Sequence, residues 1–163
     1  MNATHEAIGE ILSATRLLSL ATVTPEGSAH ANTAFFAFQP DFRLIILSPP
    51  STEHARNLRF NPSAAVTVFD SHQTYELRRG VQVFGSMAML EEADEAGEAA
   101  LRCFGGRFAE IAGTAPTYEH VLRNFHWRLF ELTPTRVKVF DEALLRKDEY
   151  VEVSFGAESA LQP

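Results

Sequence analysis

The chain has 163 residues, a net charge of −7, 45% apolar and 21% charged residues, the balance of one globular domain large enough to bury a core. That acidic balance, with no basic run longer than Arg78-Arg79, argues against nucleic acid as a partner. The single cysteine, Cys103, cannot close an internal disulfide, no His or Cys spacing suggests a metal site, and no apolar run approaches the ~18 residues of a membrane span, so a cytoplasmic protein is expected.

Residues 4–15 predict an amphipathic helix with Ile8, Ile11 and Leu12 on one stripe. Residues 17–24, LLSLATVT, predict the first strand, and Pro25-Glu26-Gly27-Ser28 a turn with its glycine at positive φ. The second strand, 30–38, HANTAFFAF, is apolar on both faces, with Asn32 and Thr33 its only polar members after His30. An antiparallel strand ordinarily shows water one face. A cover is therefore expected: a cofactor, a partner subunit, or both.

Pro40-Asp41 predicts the next turn, and 42–48 the third strand, its run Leu44, Ile45, Ile46 and Leu47 suiting burial on both faces. Pro49 and Pro50 stop it, having no ladder donors. Ser51 or Thr52 caps a short helix that ends at Asn61-Pro62. Free N–H groups, hydroxyls and the His54 imidazole at that helix start form a candidate anion site, with phosphate the usual guest, although Glu53 already supplies the dipole with a negative charge.

Residues 64–69 predict a fourth strand and 70–80 a polar hairpin connection with Tyr75 and Leu77 packing inward. Residues 81–90 alternate, Val81, Val83, Gly85, Met87 and Met89 facing one way, and Gly85 marks a bend or a close backbone approach. Residues 91–104 predict the main helix, with Ala93, Ala96, Ala100 and Phe104 as its stripe, Cys103 as a small buried residue and Gly105-Gly106 as its stop. A loop at 111–116 and a helical turn or two at 118–125 precede two closing strands, 127–132 and 136–140, joined by a turn at Thr133-Pro134-Thr135. One more strand is expected at 150–155, after which the chain is expected to fray. Six or seven short strands with one substantial helix predict a mainly β fold: a small antiparallel barrel with helical appendages, one domain over 1–163.

The order LLSLATV, HANTAFFAF, LIILSPPSTEHARNLRFNPSAAVTV, RGVQVFGSMAMLEE and WRLFELTPTRVKVFD resembles the pyridoxamine 5'-phosphate oxidase-like FMN-binding split-barrel superfamily, its small bacterial members above all, over about residues 17–141. The resemblance implies a homodimer with two FMN sites at the subunit interface. It implies that Ser51, Thr52 and His54, helped by Arg56, hold the flavin phosphate. It places Thr33, Ala34, Phe35, Phe36, Leu47 and Ser48 beside the isoalloxazine, and Gln82 and Trp127 as contributions from the partner subunit.

Departures from that pattern narrow the activity. The vitamin-oxidising members carry Arg and Lys in the phosphate loop, where this chain has Thr52 and Glu53. Their Arg-x-Val-Leu-x-Lys strand is here Phe42-Arg43-Leu44-Ile45-Ile46-Leu47, and their C-terminal substrate-phosphate arginines are not recognisable. Pyridoxamine phosphate oxidation is therefore not expected. The leading expectation is an FMN-dependent oxidoreductase acting on a small molecule, for which no catalytic dyad is required because the flavin carries the chemistry. The alternatives are a non-catalytic flavin- or haem-binding dimer, with His54, His126 or His30 as axial ligand, and a relative that has lost its cofactor, to which Glu53 points. Deazaflavin is a further alternative, though it asks for a more basic groove.

Overall fold

A computed structural model describes residues 3–146 and 148–155. The helix α1 (Ala3–Ala14) leads into β1 (Leu17–Val23), β2 (Ala29–Phe38) and β3 (Leu44–Ser48). Then come α2 (Glu53–Phe60), β4 (Ser63–Phe69), a 3-10 turn at Tyr75–Leu77 and β5 (Arg79–Met89). The helices α3 (Glu95–Arg107), α4 (Ala109–Ala112) and α5 (Tyr118–Asn124) precede β6 (Arg128–Asp141), α6 (Glu142–Leu145) and β7 (Val151–Ser154). The strands pair in the order β3-β2-β1-β4-β5-β6-β7, and β3 also pairs with β6. Six antiparallel strands thus close a barrel, and β7 extends β6.

Strand alternation fills the interior. Leu18 and Leu20, Val66 and Val68, Val81 and Val83, and Val137 and Val139 all point inward and are buried. Ile8, Ile11 and Leu12 of α1 join this cluster, as the helical stripe requires. A second cluster lies outside the barrel wall, where Phe104, Phe108, Tyr118 and Val121 cover Ala37, Ile45 and Leu129. This is why β3 is buried on both faces: Leu44 and Ile46 face in while Ile45 faces the helices.

Four expectations are corrected. The two closing strands are one, β6, running straight through Thr133 and Pro134. Its register against β5 shifts between Phe84 and Gly85, and such a bulge tolerates a proline, because one ladder donor goes unused there. The main helix starts later, at Glu95, since Asp94 accepts from the Gly97 N–H at 2.9 Å; Ala93 stays exposed, and Gly97, Ala100, Leu101 and Phe104 are the buried stripe. Gly105-Gly106 does not stop the helix, which continues to Arg107 and is followed by α4 where a loop had been expected to begin. Tyr75 and Leu77 point outward, 78% and 65% exposed. The expected fraying of the chain end lies outside the described residues.

Candidate functional site

Strands β2 and β3 stay paired only from Phe36↔Ile46 to Phe38↔Leu44; the rest of β2 pairs with β1. The start of α2 lies at this parting. Ser48 Oγ is 2.8 Å from His54 Nε2, and Thr52 Oγ1 is 3.1 Å from the same nitrogen. Thr52 donates its own proton to Pro49 O at 2.9 Å, so a neutral imidazole carrying its hydrogen on Nε2 satisfies both hydroxyls. Burial, and then the charge of His30, hold the His54 pKa below its ordinary value.

The partners of these groups decide what they offer. His30 Nδ1 lies 3.3 Å from Thr22 Oγ1, which accepts from Asn57 Nδ2 at 3.1 Å. His30 Nε2 lies 3.6 Å from the Glu53 carboxylate. Arg56 is exposed and donates to Ser51 O at 2.6 Å. Thr52 stands at the N-cap position yet makes no side-chain cap bond, so first-turn N–H groups of α2 remain available to an acceptor. Asn32 Oδ1 is buried with no hydrogen-bond partner among the described residues.

The His54 environment gives a signed pH dependence. The unfolded chain takes up the imidazole proton first, as pH falls below about 6.5, while the folded protein resists it. Stability is therefore held above that value and lost as pH falls toward the folded pKa. His54→Gln is expected to flatten this loss between pH 7 and pH 5, as read by urea unfolding midpoints; an unchanged slope would remove His54 as its source.

On the outer face of the sheet, pairing aligns residues from four strands. Thr33 lies opposite Ser19, Ser19 opposite Thr67, and Thr67 opposite Gln82. Beside this polar row runs an apolar one, in which Phe35 faces Leu17, and Phe69 faces Gly80, which faces Phe140. A cavity of about 490 Å³ lies over Leu17, Ser19, Thr33, Phe35, Thr67 and Phe69. Phe35 and Phe69 remain 47% and 52% exposed, and Phe35 rests edge-on against Phe108 at 5.5 Å.

The expected site residues thus divide. Ser48, Thr52 and His54 are brought together, and Ser51 and Arg56 lie beside them in an exposed pair. Thr33 and Phe35 share the outer cavity, with Gln82 in the same polar row of the same protomer. Ala34 and Phe36 face inward; Phe36 is core, under the Arg107 guanidinium at 4.8 Å. Leu47 packs on the second cluster. Trp127 is 6% exposed and packs on Phe125 at 4.9 Å, inside its own chain. Ser19, Thr67, Phe69, Thr22 and Asn57 were not anticipated; the alternation in β1 and β4 marked the first three as outward, and no local signal marked the others.

A closed six-stranded antiparallel barrel of this order, with helices packed on one wall, defines a split-barrel protein. The family model for pyridoxamine 5'-phosphate oxidase matches residues 4–141, and the chain belongs to that family. No match is found among curated proteins. Among solved structures, HutZ, the haem storage protein of Vibrio cholerae, superposes with a TM-score of 0.66 at 24% identity over 86% of this chain and 95% of that one. The haem-binding protein of Mycobacterium smegmatis gives 0.69 at 18% identity over 94% of this chain, which spans 58% of that protein. A putative pyridoxamine 5'-phosphate oxidase of Listeria innocua gives 0.63 at 14% identity over 84% and 98%. At such identities the likeness is one of fold. No helix among the described residues is long and apolar enough to cross a membrane.

Proposed function

We propose that the chain is an FMN-binding homodimer that acts as a flavin-dependent oxidoreductase on a small molecule. The observation that carries this reading is the cavity of about 490 Å³ on an open sheet face, walled by Phe35 and Phe69 and floored by Thr33, Ser19 and Thr67. A flat, amphipathic ring system finds there both aromatic walls and hydrogen-bonding hydroxyls. When bound, the flavin supplies the redox chemistry. The chain's own residues seat the ring, exclude water and direct hydrogen bonds to its polar edge.

For the phosphate, the α2 start fits in donors and not in charge. Uncapped N–H groups and the Ser51 hydroxyl suit phosphate oxygens, but Thr52 gives its proton to Pro49 O, Arg56 is turned to Ser51 O and Glu53 stands in the first turn. Weak FMN affinity is the expected consequence. Glu53→Lys replaces a repulsion by a charge-assisted contact worth ~1.5–3 kcal/mol, so FMN is expected to bind roughly tenfold tighter or better, as measured by isothermal titration. Wild-type protein that is colourless after flavin-rich expression, and that fails to bind added FMN, would end this reading.

The second copy is proposed for the same face. Leu17, Phe35, Phe69, Tyr75 and Leu77 are all exposed large apolar residues, and exposed patches of this kind mark interfaces. Leu77→Arg at the patch is expected to turn a dimer into a monomer in analytical ultracentrifugation.

Haem is the second reading, supported by the two haem proteins among the structural neighbours. His54 Nε2 is committed to Ser48 and Thr52, and His30 to Thr22 and Glu53. An axial ligand would accordingly fall to the exposed His126. A Soret band on haem titration that disappears in His126→Ala would favour haem over flavin; a band that survives would exclude this ligand.

A further inference from the structure

We propose that the parting of β2 from β3, beside the start of α2, receives a chain ending in a free hydroxyl and turns away a phosphate, so that riboflavin outcompetes FMN for this protein. This rests on the flavin reading given above and alters only the end group of the flavin. What carries it is a pairing of acceptors without cations. The Asn32 amide oxygen is buried with no hydrogen-bond partner among the described residues, and the Glu53 carboxylate stands across from its strand.

Register fixes where Asn32 stands. It pairs with Leu20, and His30 pairs with Thr22, so the two share one side of β2, about 7 Å apart along the strand. Leu20 is core, which makes that side the barrel's own. From it His30 reaches the first turn of α2, its Nε2 3.6 Å from the Glu53 carboxylate. The β2–β3 ladder ends at Phe36↔Ile46, short of Asn32. A buried acceptor left without a donor is costly. A phosphate dianion has no proton to give it, and a hydroxyl has one.

The charges around the helix start act in the same direction. Arg56 donates to Ser51 O at 2.6 Å. Arg128, opposite Ser48 across the β3–β6 ladder, donates to the carbonyls of Leu122 at 2.9 Å, Phe125 at 2.7 Å and Trp127 at 2.8 Å. Both guanidinium groups are thus turned to backbone oxygens. Burial holds the His54 pKa down, so its imidazole adds no positive charge at neutral pH. The first-turn N–H groups of α2 can donate to either end group. Asn32 and Glu53 are the groups that tell the two apart: one accepts from a hydroxyl, the other repels a dianion.

The test is calorimetric titration of the full chain, freed of copurified flavin, with FMN, riboflavin and lumiflavin, the last being the same ring without the hydroxyl chain. It is run at low salt, where repulsion is least screened, and at pH 8, where imidazole is ordinarily uncharged. Riboflavin is expected to bind roughly threefold or more tighter than FMN, and about tenfold or more tighter than lumiflavin. Glu53→Gln is expected to raise FMN affinity to that of riboflavin, which serves as the internal reference. Asn32→Ala is expected to weaken riboflavin about five- to tenfold at an undiminished melting temperature, because the oxygen it removes bonds nothing in the fold. FMN binding as tightly as riboflavin in wild type, lumiflavin doing the same, or riboflavin affinity unmoved by Asn32→Ala would overturn the proposal and leave the flavin reading standing. Failure of all three flavins to bind would remove the flavin reading itself, and the choice of end group with it.

Discussion

Gly85→Ala is expected to lower folding stability by about 3 kcal/mol or more, seen as a shift of the urea midpoint at unchanged slope. An added Cβ would stand 2.0 Å from Thr133 O, 2.9 Å from Thr133 C and 3.0 Å from Pro134 Cα. All three are backbone atoms of β6, so no side-chain rotation relieves the overlap. The register of β5 against β6 shifts at Phe84/Gly85, and Thr135 Oγ1 donates to Phe84 O at 3.2 Å across it. A contrasting control lies in α3. Gly106 has nothing within 4 Å of its added Cβ, and Gly106→Ala there is expected to raise stability by about 0.5–1 kcal/mol through backbone entropy. If both substitutions destabilised alike, steric contact at the bulge would not be the cause.

Arg107→Met is expected to cost about 2–4 kcal/mol and to weaken ligand binding beyond what the lost stability accounts for. Its Nη2 donates to Leu12 O at 2.9 Å and Ser13 O at 3.3 Å, and to Thr15 O. These are carbonyls at and just beyond the end of α1, which a helix cannot satisfy itself. The guanidinium also stacks on Phe36 at 4.8 Å and Phe108 at 5.9 Å. Burial lowers its pKa, yet an arginine so placed stays charged, and methionine keeps the stem while losing every one of these bonds. Because Phe108 supports Phe35, the wall of the larger cavity loosens with it. Urea unfolding measures the first effect. FMN titration well below the melting temperature measures the second; unaltered FMN affinity in Arg107→Met would detach that wall from the site.

The helix start after β3 shows how far local reading reaches. The double proline, the hydroxyls of Ser51 and Thr52 and the imidazole of His54 lie within a few residues of one another, so their meeting was legible before any fold was known. Their bonding was not. Thr52 turns to Pro49 O rather than capping α2, and the Glu53 carboxylate faces His30 from a strand that ended fifteen residues earlier. Trp127 was open for the same reason: a lone tryptophan before a strand suits an interface or a core equally, and the packing of α3 and α5 over that wall is what buries it in the second cluster.

By itself, the order of residues determined where β1 to β5 fall, that β3 is covered on both faces and that α2 begins with hydroxyls and an imidazole. Periodicity, proline placement and capping are local properties, and local properties survive without knowledge of the partners. Only tertiary structure decided that β6 is continuous, that Phe35 and Phe69 wall one cavity, and that Thr33, Ser19, Thr67 and Gln82 stand in one row. Those facts depend on register between strands far apart in the chain, and a slip of one residue would send every one of these side chains to the opposite face.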